Sequence, residues 1–153
     1  MSDYVSRSAE ELRLLMANYC VYRERCHSEV EQKLWDLRVP MADRDDLWLY
    51  LLENDFLNEQ RFARAFAQGK FNQNSWGKIK IRHALRTKNV PTKLIEDALQ
   101  QIELDDYLQR IEQLIARKYQ AVPTDMRERQ KLMRYLLGKG YEYEHIIPML
   151  RLD

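Results

Sequence analysis

Apolar residues recur three and four positions apart along most of the chain, and polar residues fill the positions between them. That spacing places the apolar set on one face of a helix rather than on alternating faces of a strand. Breaks carrying Gly, Pro, Asn, Asp or Ser divide the pattern. It predicts helices near 8–25, 28–38, 43–53, 58–71, 75–89, 92–102, 104–119, 124–139 and 143–150. Start signals agree: Ser8-x-x-Glu11 and Ser28-x-x-Glu31 fit the capping box, and Asn58 and Ser75 stand where caps are expected. Pro91 and Pro123 lie near helix starts, where a missing N–H is harmless. Pro148 falls inside the last stretch, so that helix should be short or kinked.

The pattern repeats weakly at a spacing of 51. Val30, Ile81 and Leu132 correspond, as do Leu34, Leu85 and Leu136, then Val39, Val90 and Tyr141. Pro40 and Pro91 follow in the first two copies. Just before the last apolar position stand Arg38, Asn89 and Gly140, where each middle helix should stop. Asn and Gly suit a left-handed C-terminal cap; Arg38 does not, so the first copy is expected to end its helix differently. Grouping the helices in threes gives units of 1–55, 56–102 and 103–153. The fold class is all-α: three tandem three-helix repeats, elongated and curved, each too small to bury much surface without its neighbour.

Composition supports this reading. The 153 residues are 45% hydrophobic, with only four Gly, which argues against a hairpin-rich β fold. No stretch approaches the roughly 18 apolar residues of a membrane span, and the N-terminus lacks a secretory pattern. Two cysteines, Cys20 and Cys26, make no disulfide framework. The expectation is a cytoplasmic protein with no membrane contact, and a monomer.

Charge changes the picture more. The net charge is +1, yet the 36 residues from Gln60 to Ile95 hold no Asp or Glu. At the chain's average acid content about six would be expected there. The same stretch carries Arg61, Arg64, Lys70, Lys78, Lys80, Arg82, Arg86, Lys88 and Lys93. By unit, the balance is 7 basic to 12 acidic, then 9 to 3, then 9 to 9. Glu29, Lys80 and Lys131 are equivalent under the repeat, as are Glu31, Arg82 and Met133, so the fold does not require the reversal. Lys78, Arg82 and Arg86 form one stripe on the predicted middle helix, with no acid nearby in sequence to pair with them. Arg127, Arg129, Lys131 and Arg134 extend the positive surface into the third unit. Such a surface on a nearly neutral protein points to an anionic partner; a merely solvated helix face is the alternative. Trp76 is expected to pack in the core or between units, with stacking on a base as the alternative.

Catalytic signals are missing. His27, His83 and His145 fall in different units, and there is no P-loop, G-x-G-x-x-G or G-x-S-x-G. Cys20, Cys26 and His27 are a weak ligand set without an obvious fourth member, and buried thiols are the default for such cysteines. No cofactor, no metal and no enzymatic activity are expected.

Asp55-Phe56-Leu57-Asn58-Glu59-Gln60-Arg61-Phe62-Ala63, followed by Gly77-x-x-x-Ile81-x-x-x-Leu85-x-x-x-Asn89-Val90, resembles the core of RecX-type recombination regulators. His27-Ser28-x-x-x-x-Lys33-Leu34 resembles that family's first repeat. Arg129-Gln130-Lys131-Leu132-Met133-Arg134-Tyr135-Leu136-Leu137 with Gly140-Tyr141 resembles its third. The resemblance runs from about Cys20 to Leu150. It implies a cytoplasmic bacterial protein that binds the RecA recombinase filament, in its groove and near the DNA, and inhibits ATP hydrolysis, strand exchange and coprotease function. Family members commonly carry Gly where this chain has Arg38 and Asn89. The residues themselves leave a second reading open: a non-specific DNA-binding helical repeat whose filament effects are secondary.

Overall fold

A computed structural model describes residues 6–152. Among them lie nine helices and no strand: α1 (Ala9–Tyr22), α2 (His27–Asp36), α3 (Met41–Glu53), α4 (Glu59–Asn74), α5 (Lys78–Thr87), α6 (Thr92–Gln100), α7 (Leu104–Lys118), α8 (Met126–Gly138) and α9 (Tyr143–Leu150). The exposed area is 9932 Å². A compact monomer of this mass would expose about 8,200 Å², so the helices are stacked in an extended arrangement.

Several caps fall where the sequence places them. The Ser8 hydroxyl accepts from the Glu11 amide, and Asn58 Oδ1 accepts from the Arg61 amide. Two do not. Cys26, not Ser28, precedes α2, and Glu29 reaches back to accept the Cys26 amide. Ser28 sits inside the first turn, where its hydroxyl is free for another partner. Ser75 ends α4 in a left-handed conformation instead of opening α5, and Gly77 takes the N-cap. α9 is eight residues long and holds Pro148 in its last turn.

The middle helices α2, α5 and α8 end identically. Val39, Val90 and Tyr141 donate their amides back to Leu34, Leu85 and Leu136, and the preceding residues donate to Trp35, Arg86 and Leu137. This double closure needs positive φ at the turning residue, which is 56° at Arg38, 61° at Asn89 and 102° at Gly140. Arg38 therefore does not end its helix differently. Its Cβ strain of about 1 kcal/mol is accepted because the turn carries Val39 into the core. The nine equivalent apolar positions are all buried, none more than 5% exposed.

Buried residues form two clusters. Leu12, Met16, Val30, Leu34, Leu47 and Leu51 belong to one, confined to α1–α3 and the adjoining turns. The other runs continuously through α4–α9 and takes in Cys26 from the first unit. Cys20 and Cys26 are both buried free thiols, and burial raises the pKa of each.

The units join where one middle helix begins and the next one ends. An α-helix leaves its first amides and last carbonyls without internal partners. At the start of α5, Gly77 donates its amide to the Lys139 carbonyl (2.7 Å), Ile79 to the Gly140 carbonyl (2.9 Å), and Lys78 to the Tyr107 hydroxyl (2.8 Å). The end of α8 thus completes the start of α5, positive dipole end against negative. The same arrangement recurs one repeat earlier with side chains doing the bonding. The His27 amide donates to Glu59 Oε2 (2.8 Å), and the Ser28 hydroxyl donates to the carbonyl of Lys88, just past α5 (2.8 Å). Tyr107 also donates to Glu142, and the Tyr141 hydroxyl donates to the Ser75 carbonyl (2.8 Å).

Glycine is obligatory at the α5–α8 joint. A Cβ on Gly77 would lie 2.3 Å from the Gly140 carbonyl, and one on Gly140 would lie 2.5 Å from Lys80 Cβ. Gly77→Ala should therefore lower stability by about 2 kcal/mol or more, because backbone must move. Gly69→Ala, where a Cβ meets nothing within 4 Å, should gain up to about 1 kcal/mol. Urea unfolding followed by far-UV circular dichroism checks both; equal effects would contradict the joint.

The buried phenols give a pH test. Burial, reinforced by the bond to Glu142, raises the Tyr107 pKa above the usual 10, and burial raises that of Tyr141. Each stays protonated in the folded protein at pH values where the unfolded chain ionises. Their stabilisation is complete below about pH 10 and is lost as pH rises through the folded values. The urea midpoint should fall above pH 10, and less steeply in Tyr107→Phe.

Candidate functional site

The basic residues of α5 separate onto two flanks. At 100° per residue, buried Ile81 and Leu85 divide Lys78, Arg82 and Arg86 on one side from Lys80 and Lys88 on the other.

The first flank is not free of acid. Arg82 grips Glu96 of α6 through two bonds, 2.7 and 3.2 Å, and that contact lowers the Glu96 pKa, with Arg86 and Lys78 adding to the effect. The acid-free window closes at Ile95, one residue short of this partner. Arg64 is likewise held by Asp97 at 2.8 and 2.9 Å. Arg61 pairs with Glu24 (2.6 Å) and Asp55 (3.1 Å), tying the first unit to α4. Arg129 donates to the Pro123 carbonyl (2.6 Å) and the Arg151 carbonyl (3.3 Å). These four arginines are engaged in the fold. Lys131 has a looser pair with Glu128 at 3.4 Å. Lys70, Lys78, Lys80, Arg86, Lys88, Arg127 and Arg134 make no ion pair among the described residues.

The second flank interleaves lysines with aromatic rings. Lys80 Nζ lies 4.7 Å from the Trp76 ring centre, and Lys70 Nζ 4.9 Å from it. Lys70 is also 5.5 Å from the Phe66 ring, and Lys88 is 5.8 Å from it. Trp76 and Phe66 are half-buried against the larger core, so each rests one side on apolar packing. One repeat on, Lys80, Ala84 and Lys88 become Lys131, Tyr135 and Lys139, and Lys118 lies 3.8 Å from the Tyr135 ring. The α5–α8 joint brings the two stretches together. Lys139 Nζ donates to the Asn74 carbonyl (2.7 Å), and its pKa is lowered by burial and by the charges of Lys80 and Arg117.

At the far end of this row a groove of about 420 Å³ opens between the first and second units. Phe62, Phe66, Gly69, Lys70, Gln73 and Lys88 line it on one side, and Arg23, Glu24 and Glu29 on the other. Of its acids, Glu29 is matched by Arg23 and Arg25, while Glu24 meets Arg61 through Oε1 and keeps its Oε2 buried without a hydrogen-bond partner among the described residues. Sequence reasoning missed Lys139, Arg117 and Lys118. Lys139 was legible, since it is Lys88 displaced by one repeat.

This arrangement concentrates positive charge beside aromatic rings, chemistry suited to an anion. Among the described residues, one group has donor atoms close enough for a metal: Glu142, Glu144 and His145, within 4.8 Å of one another. Glu142 is already engaged by Tyr107. No helix among the described residues is long and apolar enough to cross a membrane.

Comparison with known proteins fits the fold. The second three-helix domain of RecX matches residues 58–99, and the third matches residues 105–147. The chain belongs to the RecX family. The Regulatory protein RecX of Serratia proteamaculans is 34% identical over 103 residues, which cover 67% of this chain and 60% of that protein. That of Salmonella typhimurium is 27% identical over 166 residues, covering 99% and 98% of the two chains. The chain spans about half the length of several other RecX relatives, such as 52% of the one from Streptococcus agalactiae serotype V. The crystal structure of RecX from Lactobacillus salivarius superposes with a TM-score of 0.81 at 24% identity, over 95% of this chain and 97% of that one, which shows the same fold. All thirteen basic residues singled out from the sequence fall inside the two matched RecX domains.

The two flanks should respond differently to mutation. Arg82→Glu sets two acids against each other and should cost about 1 kcal/mol of stability, the partners being partly solvated. Lys80→Glu removes a charge with no acid partner among the described residues and should leave the thermal midpoint within a degree or two. Differential scanning fluorimetry separates these; equal losses would contradict the division.

Proposed function

We propose that this RecX-family chain binds RecA recombinase filaments on DNA and lowers their activity: ATP hydrolysis, strand exchange and coprotease function. The observation that carries the reading is the lysine row on the second flank, Lys70, Lys80, Lys88 and Lys139, which runs unbroken across the α5–α8 joint. The fold does not use most of these charges, and an anionic filament or its DNA would relieve their mutual repulsion. The acidic first unit would orient the molecule on such a partner. The protein acts as a monomeric, non-enzymatic cytoplasmic regulator without a cofactor.

A second reading is favoured by one feature, the aromatic rings within the row. Cations interleaved with rings suit nucleic acid directly, so DNA binding alone could produce secondary effects on a filament.

DNA-stimulated ATP hydrolysis by RecA, measured as this protein is titrated, tests the first reading. Hydrolysis should fall at micromolar protein; an unchanged rate with folded protein would refute it. Binding to naked DNA as a function of salt tests the phosphate contact. Lys70→Glu with Lys80→Glu should reduce the log–log slope by about 1.4–1.8 if each lysine meets one phosphate. An unchanged slope would remove those lysines from the interface. Equal affinity for DNA with and without RecA, with inhibition tracking DNA occupancy, would favour the second reading.

A further inference from the structure

We infer that Phe66 and Trp76 are base-stacking platforms for single-stranded nucleic acid, with Lys70 between them as a shared phosphate ligand. The inference rests on the anionic interface proposed above and specifies what part of the partner it contacts.

The two rings share one construction. Each is half-buried against the core and carries two lysine ammonium groups over its ring: Lys70 and Lys88 at Phe66, Lys70 and Lys80 at Trp76. Phe66 lies in the groove between the units, beside the amide of Gln73 and the open surface at Gly69. One side of each ring rests on the core, with Phe66 against the Phe62 ring, and lysine ammonium groups lie over the remainder.

Magnitudes indicate what happens when a strand arrives. An exposed lysine over a ring contributes about two- to fivefold, whereas a base stacked on a ring contributes about five- to 150-fold in affinity. Two such lysines together contribute about 5- to 30-fold, comparable to one stacked base, so the gain on displacement comes from the freed lysines reaching the flanking phosphates. Glu29 does not oppose this, because Arg23 and Arg25 match it; Glu24 is paired with Arg61 through Oε1, and its unpartnered Oε2 is buried away from an arriving strand. A duplex keeps its bases stacked inside and can offer these rings only its backbone. The platforms therefore select single strands.

The test uses fluorescein-labelled oligothymidylate, an abasic strand of the same length and a duplex of the same length, with binding read by anisotropy. The wild-type chain should bind oligothymidylate at least about fivefold more tightly than the abasic strand. Phe66→Leu and Trp76→Leu keep apolar bulk under the lysines. Each should lose about fivefold or more on oligothymidylate and nothing on the abasic strand or the duplex. Equal wild-type affinity for the first two strands would overturn the stacking platforms and leave the phosphate interface standing. So would leucine variants that bind oligothymidylate like the wild type. Binding to none of the three would overturn the platforms together with naked-DNA contact, while the filament reading is decided separately by RecA hydrolysis. The wild-type comparison of strands needs no variant, so a folding failure in a mutant leaves the inference exposed to refutation.

Discussion

Everything in this molecule depends on how the start of one middle helix is completed by the end of the next. The first amides of α5 have no partners within their own helix, and they find the carbonyls of Lys139 and Gly140 in the turn that closes α8 instead. The contact is close enough that both backbones must be bare, which places Gly77 opposite Gly140. At the α2–α5 joint the same need is met by Glu59 and Ser28, whose side chains span a gap that the glycines close directly. The two joints are one solution with different chemistry. Units 2 and 3 share backbone bonds and one apolar core, whereas the first unit keeps its own core and is attached largely by polar side chains.

The joint also builds the surface. Because α5 and α8 meet end to end, equivalent positions on them share one flank, and lysines far apart in sequence become neighbours. Lys80 lies near enough to disfavour the charge on Lys139, although the two stand 59 positions apart in the chain. The opposite flank of α5 is used differently. Arg82 turns to Glu96 and helps fasten α6, so charges that look alike in the sequence divide into those that hold the fold and those that face outward.

Much of the fold was legible in the sequence because it rests on local rules. The spacing of 51 located nine buried positions, and Gly140 and Asn89 marked helix ends through their tolerance of positive φ. Arg38 was misread for the same reason: local propensity disfavours that backbone, while burial of Val39 enforces it. Ser28 and Ser75 were misplaced because a serine beside a helix start can serve a neighbouring unit or the previous helix, which only tertiary contact decides. The site was half legible. Charge composition identified the basic unit, but pairing with Glu96, Asp97 and Glu24 lies outside the window that drew attention to it. Lys139 could have been found from the repeat; Lys118 could not, because its place over Tyr135 depends on how α7 packs on α8.

The central claim is that the lysine row, rather than basic charge in general, faces the partner. Lysine acylation followed by mass spectrometry, with and without RecA–DNA filaments, tests this most directly. Lys70, Lys80 and Lys88 should be protected in the complex, while exposed Lys93 on α6 reacts as it does in the free protein. Protection of Lys93 equal to that of the row, or no protection of the row in a demonstrated complex, would contradict the account.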